Sequence, residues 1–334
     1  MIGPADLAFE LPAELVAQAP VSPRDAARLL VLERGSGALA ELRFAELAER
    51  VDANDLLVVN DTRVVPAKLR GRKQSGGKAE ALLLERRPDG TWTAFVRARG
   101  RLEVGLELVF GALGARAVEV RADGTCRLAF TDAEGAAADP LVDALGEAPL
   151  PPYIRRDAPR AQDLADYQTI FARDPGAVAA PTASLHFTPE LAARLRIATV
   201  TLHVGPGTFR PMRCERLEDH VLDAERFCVP DATARAIAET RAAGGRVIAV
   251  GTTVVRALET TGGAGGSGDT KLLILPGHGF RAVDSLITNF HLPGSSLLAL
   301  VMAFAGVEAT RRAYAHAIAA RFRFYSYGDA LWIR

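Results

Sequence analysis

Residues 56–69 read LLVVNDTRVVPAKL. The apolar run Leu56–Val59 has the length and branching of a buried strand. Asn60-Asp61-Thr62-Arg63 interrupts it with four polar side chains, and a second β-branched pair precedes Pro66, so the stretch is expected to fold as strand, polar loop, strand. The rhythm differs on either side. Between Lys78 and about Phe130 come short alternating segments (AEALLLERR, TWTAFVRA, LELVF, ARAVEVRA, TCRLAF) broken by Gly and Asp-Gly turns, the pattern of a small antiparallel barrel. After Leu150-Pro151-Pro152, helix-like and strand-like pieces alternate, which implies an α/β layer with a largely parallel sheet.

The part before Val65 lacks the barrel rhythm. The expected organisation is therefore an α/β domain made of residues 1–65 and 150–334, with an antiparallel β-barrel, residues 66–149, inserted into it. Helices are expected at Asp166–Ala172, Pro189–Arg196, Asp231–Ala243 and Val307–Arg321, the third with Asp231 as N-cap and Gly244 as stop. Strands are expected at Ala198–Val204, Arg246–Val250, Lys271–Leu275 and Ser285–Thr288. The run GGAGGSG, residues 262–268, reads as a flexible loop.

Composition sets limits on function. The chain has 334 residues, 49% of them hydrophobic and 24% charged, an ordinary globular balance. Lys+Arg and Asp+Glu both total 40, so a nucleic-acid site would have to be local rather than a property of the whole field. Cys126, Cys214 and Cys228 are scattered and read as reduced core fillers. The opening lacks the basic start and apolar run of a secretory leader, and the longest apolar run, Leu297 to Gly306, is far short of the roughly 20 residues that cross a bilayer. A cytoplasmic protein is expected.

Four segments carry polar groups that packing does not require. VTLHVGPGTFRPM, residues 200–212, runs from a strand through His203 into Gly205-Pro206-Gly207, whose glycines admit a ligand close to the backbone. RVIAVGTTVVRALE, residues 246–259, is a strand, a Gly251-Thr252-Thr253 turn and a helix, whose free N–H groups suit an anionic group. TNFHLPGSS, residues 288–296, sets Asn289, His291, Ser295 and Ser296 between a strand and an apolar helix, at the strand edge where α/β proteins bind ligands. APTASLHFT, residues 180–188, packs Thr182, Ser184, His186 and Thr188 between breakers. Each also has a plain alternative: His203 as a core histidine, the glycines as a turn, Ser295 and Ser296 as helix caps. No histidine pair has zinc spacing, and there is no phosphate loop, dinucleotide fingerprint or serine-hydrolase elbow.

In order along the chain, nine segments resemble the S-adenosylmethionine:tRNA ribosyltransferase-isomerase family of queuosine biosynthesis. They are SPRDAARLLVL, NDTRVVPAKLRGRK, GGKAEALLL, LPPYIRR, YQTIFA with PGAVAAPTASLHFT, TLHVGPGTFRPM, RVIAVGTTVVRALE, VDSLITNFHLPGSSLLALV and RFYSYGDALWI, which together span nearly the whole sequence. The resemblance implies an α/β domain with an inserted barrel. It also implies transfer and isomerisation of the ribosyl part of S-adenosylmethionine onto 7-aminomethyl-7-deazaguanine at the tRNA wobble position, giving epoxyqueuosine and releasing adenine and methionine. S-adenosylmethionine is then a consumed substrate. No metal or other cofactor is expected, and a monomer is.

Such a reaction needs a base for the C5′ proton that the sulfonium acidifies, an acid for departing adenine and a neutral aminomethyl nucleophile. His203 and His220 lead as acid/base candidates because histidine titrates near neutrality, followed by Glu225, Asp61 and Asp329. Asn60, Arg63, Thr182, His186, Gly205, Gly207, Thr208, Thr252, Thr253, Arg256, Asn289, His291 and Ser295 are assigned to the donor or the modified base. Arg70, Arg72, Lys73, Arg155 and Arg156 are assigned to tRNA phosphates, with Arg97, Arg99, Arg101 and Arg160 as further local cations. Two positions depart from the family pattern: Asp223 stands where a second histidine is usual, and Ser184 replaces a glycine, so a positive φ is not required there. Two competing readings are a methyltransferase, which would form S-adenosylhomocysteine, and a non-catalytic RNA-binding module.

Overall fold

The computed structural model describes residues 3–132, 139–205, 207, 212 and 214–334. The chain divides into two compact units. One comprises residues 1–63, 151–155 and 166–334; the other comprises residues 64–150 and 156–165.

The first unit is α/β. Its nine-stranded sheet takes β1 (Arg28–Leu32), β2 (Leu39–Arg43) and β3 (Leu56–Asn60) from the start of the chain. From residue 166 onward it takes β12 (Ile197–Leu202), β13 (Glu225–Val229), β14 (Val247–Val250), β15 (Gly266–Thr270), β16 (Ser285–Asn289) and β17 (Ala330–Ile333). The order is β15-β13-β12-β3-β14-β16-β17-β1-β2. The four middle strands, β12-β3-β14-β16, run parallel. All five residues of β3 are buried, which is why Leu56–Val59 is a continuous apolar run rather than an alternation. A short strand, β4 (Thr62–Val64), follows β3 and pairs with β11 (Asp174–Ala177).

One face of the sheet packs Leu56, Val58, Val200 and Leu202 against α4 (Asp231–Ala242), α5 (Thr252–Thr261), α6 (Ser296–Ala305) and α7 (Val307–Ala319). The other face packs Leu57, Val59, Ile248 and Trp332 against Phe44, Leu47, Phe187 and Leu191, the last on α3 (Pro189–Ala192).

The second unit is a closed barrel of six antiparallel strands: β5 (Lys68–Lys73), β6 (Lys78–Arg86), β7 (Trp92–Ala98), β8 (Glu107–Phe110), β9 (Leu113–Val120) and β10 (Thr125–Thr131). Alternate residues of β6, Ala79, Ala81 and Leu83, point inward. Gly71 is required where β5 crosses β8, since a β-carbon there would lie 2.1 Å from the Val109 carbonyl. Helix α1 (Asp139–Leu145) completes this unit, and α2 (Gln162–Asp166) lies mostly within it.

The fold class is therefore the expected one. Several details differ. Residues 156–165 belong with the barrel unit, and within that segment Arg156 and Asp163 form an ion pair whose side chains are only 7% and 6% exposed. The expected helix at Asp166–Ala172 is absent beyond Asp166, where β-branched Thr169 and Ile170 weaken the helix and the Asp61 carbonyl accepts from the amides of Arg173 and Asp174. The glycine run contributes β15, an edge strand bonded to β13 through its backbone, whereas Lys271–Leu275 is not a strand. Pro230 caps α4 and Asp231 is its first helical residue, while Gly244 ends it at φ 72°. Cys126 is buried as expected, but Cys228 is exposed on β13. Among the described residues no helix is long and apolar enough to cross a membrane.

Candidate active site

Polar side chains collect where the parallel strands end. Asn60 closes β3, His203 follows β12, Gly251 follows β14, and Asn289 closes β16. A cleft of about 580 Å³, including its open mouth, lies at this edge and is lined by Thr182, Gly251, Thr252, Thr253, Asn289 and His291 together with Tyr153, Tyr325 and Ser326. Gly251 turns the chain from β14 into α5 at φ 101°, a conformation that disfavours any side chain, so that Gly251, Thr252 and Thr253 at the start of α5 line the cleft. Ser295 caps α6, accepting from the Leu298 amide at 3.2 Å. It is a cap, and the helix start it fixes borders the same cleft through Leu297.

Of the lining residues, Thr182 Oγ1 donates to Asn289 Oδ1 at 2.8 Å, and Asn289 Nδ2 lies 3.3 Å from Nε2 of His186, which does not itself line the cleft. His291 Nε2 meets Thr288 Oγ1 at 2.8 Å. Burial, with Arg323 and Arg24 adding to it, pushes His186 down to about 3, and burial alone pushes His291 to about 3. Both rings are neutral at physiological pH and orient by hydrogen bonding. Ser184 is fully buried without a positive φ, in line with the expectation for that position.

Asn60 is the hub between strands. Its Nδ2 donates to the Leu202 carbonyl at 2.9 Å and to Thr253 Oγ1 at 3.2 Å, while its Oδ1 accepts from the amides of Thr62 and Leu202 at 3.0 and 3.1 Å. A buried amide with all four contacts made locks β3, β12 and the start of α5 together.

His203 faces the other side of β12. Its Nδ1 meets Thr62 Oγ1 at 2.8 Å, and Asp61 lies beside it, accepting from Thr201 Oγ1 at 2.7 Å and pairing with Arg173 at 2.7 Å. The ring borders an open cleft with Asp174, Arg226 and Asp269. Burial and then Arg226 lower its pKa, against the opposing pull of Asp174 and Asp61. The imidazole thus rests unprotonated near neutrality, as a base must. His220 also titrates low, through burial, with Asp223 opposing.

The five acid/base candidates are not gathered in one place. His203 and Asp61 are neighbours. Glu225 is buried on β13, bound to the Gly205 amide at 2.8 Å and to Arg256. It lines, with Gly207 and Asp223, a second cleft of about 410 Å³ with the open solvent at its mouth included. The Asp329 carboxylate accepts from the backbone amides of Arg28 and Arg323 at 3.0 and 2.7 Å, which ties the start of β1 to the turn before β17. Its oxygens are engaged by the chain itself, including Arg323 Nη2 at 3.4 Å. Arg63 is exposed. Thr208 lies outside the described residues.

Tyr153, Tyr325 and Ser326, which also line the cleft, lie outside the four polar segments. Tyr153 OH and Ser326 Oγ are 2.8 Å apart, and Tyr325 holds φ 70°, which is costly for a bulky residue. A polar aromatic between two prolines and an isoleucine, and a serine between tyrosines, were the available signals.

Of the residues assigned to tRNA, Arg72 is exposed on β5 opposite Lys78, Lys73 donates to the Arg99 carbonyl, and Arg70 pairs with Glu147 at 2.9 Å. Arg155 is exposed in the α/β unit. Arg156 is a correction: its side chain is only 7% exposed and bidentate with Asp163 at 2.9–3.0 Å, so these donors are committed within the protein.

A parallel-stranded core with polar groups converging at its carboxyl edge is the layout of an α/β enzyme. The chain belongs to the queuosine biosynthesis protein family, whose model matches residues 5–333. It is 51% identical over 339 residues to the S-adenosylmethionine:tRNA ribosyltransferase-isomerase of Anaeromyxobacter dehalogenans (strain 2CP-C), covering 98% of both chains. It is 51% identical over 340 residues to the protein of that name from Geobacter sulfurreducens, covering 97% of this chain and 98% of the other. A crystal structure of S-adenosylmethionine tRNA ribosyltransferase from Thermotoga maritima matches 98% of this chain and 100% of its own, with 35% identity and a TM-score of 0.55.

Proposed function

We propose that the protein is an S-adenosylmethionine:tRNA ribosyltransferase-isomerase of queuosine biosynthesis. It moves the ribosyl moiety of S-adenosylmethionine onto 7-aminomethyl-7-deazaguanine in tRNA, with loss of adenine and methionine. The observation that carries this reading is 51% identity over 98% of both chains to a relative of that name.

The chemistry asks for a base near the sulfonium-activated C5′ and a polar pocket for a purine. A neutral His203 fits the first requirement. Thr182, Thr252, Thr253 and Asn289 supply donors and acceptors for the second. The exposed cations of the barrel unit, Arg72, Arg97, Arg99 and Arg101, are suited to tRNA phosphates. The enzyme acts in the cytoplasm as a monomer and needs no cofactor beyond the donor it consumes.

The test is incubation of purified protein with S-adenosylmethionine and an anticodon stem-loop carrying 7-aminomethyl-7-deazaguanine, followed by chromatography for adenine and mass analysis of the RNA. Adenine release matched by an epoxycyclopentane mass gain is expected. S-adenosylhomocysteine instead would mean methyl transfer, and no product from a folded protein would remove the proposal.

A further inference from the structure

The second cleft holds an unusual pair. Arg256, on α5, and Glu225, on β13, are each only 6% exposed. Arg256 Nε donates to the Leu272 carbonyl at 3.0 Å and Nη1 bonds Glu225 Oε2, while Glu225 Oε1 accepts from the Gly205 amide at 2.8 Å. Among the described residues, Arg256 Nη2 has no partner although it is buried. A buried guanidinium donor left unmade is costly, so among the described residues the position stands open to a further acceptor.

The surroundings define that acceptor. The walls are largely aliphatic, with Leu272, Leu297 and Leu300, and Asp223 adds a second, exposed carboxylate. An isolated anion placed at Nη2 would feel Glu225 as well as Arg256. A zwitterion would not suffer this, because its anionic end meets the guanidinium while its cationic end meets the carboxylates, head to tail. Leu297 lines both this cleft and the one bounded by Asn289 and Thr253, so a single ligand can extend across the two.

We infer that this cleft seats the amino-acid end of S-adenosylmethionine: the α-carboxylate accepts from Arg256 Nη2, the α-ammonium faces Glu225 and Asp223, and the methylenes run along Leu272, Leu297 and Leu300. The inference rests on the reading that S-adenosylmethionine is the donor. It gives Arg256 a specificity role, since the reacting ribosyl group lies at the other end of the molecule. The released methionine would leave from the same cleft.

Binding of three compounds to the whole protein tests it: S-adenosylmethionine, its decarboxylated form, and 5′-methylthioadenosine, which lacks the amino-acid end. The wild type is expected to prefer S-adenosylmethionine over the decarboxylated form by about ten- to a hundredfold. Arg256→Gln is expected to erase that preference and to leave methylthioadenosine affinity unchanged. A wild type that binds S-adenosylmethionine and the decarboxylated compound equally overturns the inference and leaves the function standing, a comparison that needs no variant. A folded Arg256→Gln protein that still discriminates overturns it too. A wild type that binds neither sulfonium compound, with or without the RNA, overturns the functional reading and this inference with it.

Discussion

Gly176 lies so close beneath the imidazole of His203 that a β-carbon there would stand 2.8 Å from Nδ1 and 3.0 Å from Cε1. The glycine thus fixes which position the ring takes against Thr62. Gly176→Ala is expected to push the ring away, break the 2.8 Å contact to Thr62 Oγ1, and destabilise the protein by about 1–3 kcal/mol. If His203 is the base, turnover falls by about a hundredfold or more while S-adenosylmethionine affinity holds. Single-turnover kinetics beside a binding isotherm separate the two effects, and unchanged turnover removes His203 from the reaction.

Asn60→Leu is expected to be severely destabilising for a volume-conserving change. It strips the amide and carbonyl of Leu202 and the amide of Thr62 of their side-chain partner in a buried setting. At about 1–3 kcal/mol for each stranded group, the loss reaches several kcal/mol even with partial repair. Urea unfolding measures it, and a shift below about 1 kcal/mol would contradict the hub described above.

The buried histidines set a pH dependence whose sign is fixed. His291 and His186 sit at about 3 in the folded chain against the ordinary 6.5. Between those values the unfolded chain binds protons that the native state refuses, so the stability present above pH 6.5 is lost as pH falls. Each histidine contributes a slope of about 1.4 kcal/mol per pH unit. Between pH 6.5 and 5, before most carboxylates titrate, His291→Gln is expected to flatten the slope by about that amount. Parallel curves for wild type and variant would show that His291 is not held neutral.

Two arginines of the barrel unit are expected to behave oppositely. Arg72→Ala on the exposed strand face should weaken RNA binding and reduce the salt slope by roughly one unit, with no loss of stability. Arg156→Ala should leave the salt slope alone and cost about 3–5 kcal/mol, because it strands the buried Asp163 carboxylate. A titration against salt and a melt on each variant distinguish the cases.

The sequence disclosed most where side-chain pattern alone decides structure. The apolar run before Asn60, the two-residue alternation of β6 and the Gly251-Thr252-Thr253 turn each carry their geometry locally. It misled where the backbone decides instead. The glycine run became β15 because an edge strand needs only a partner with free hydrogen-bonding groups, and β13 offered one. The site was harder still. Nothing local distinguishes the ion-paired Arg156 from the exposed Arg155 beside it, because the distinction is made by Asp163. Nor does spacing reveal that His203 and Asn289 line different clefts, since that depends on how segments far apart in the chain are brought together.

Strand β17 lies inside the sheet, between β16 and β1, pairing residues 330–333 with residues 29–32 and 286–289. Until residues 330–333 dock, the sheet has a gap between β16 and β1, with both of those edges open. The barrel strands, by contrast, are complete by Thr131 and mostly pair as sequence neighbours. The barrel's strands need no residue beyond Thr131 to pair, whereas the α/β sheet keeps two open edges until β17 pairs with β1 and β16, and open edges are what a folding chain must protect.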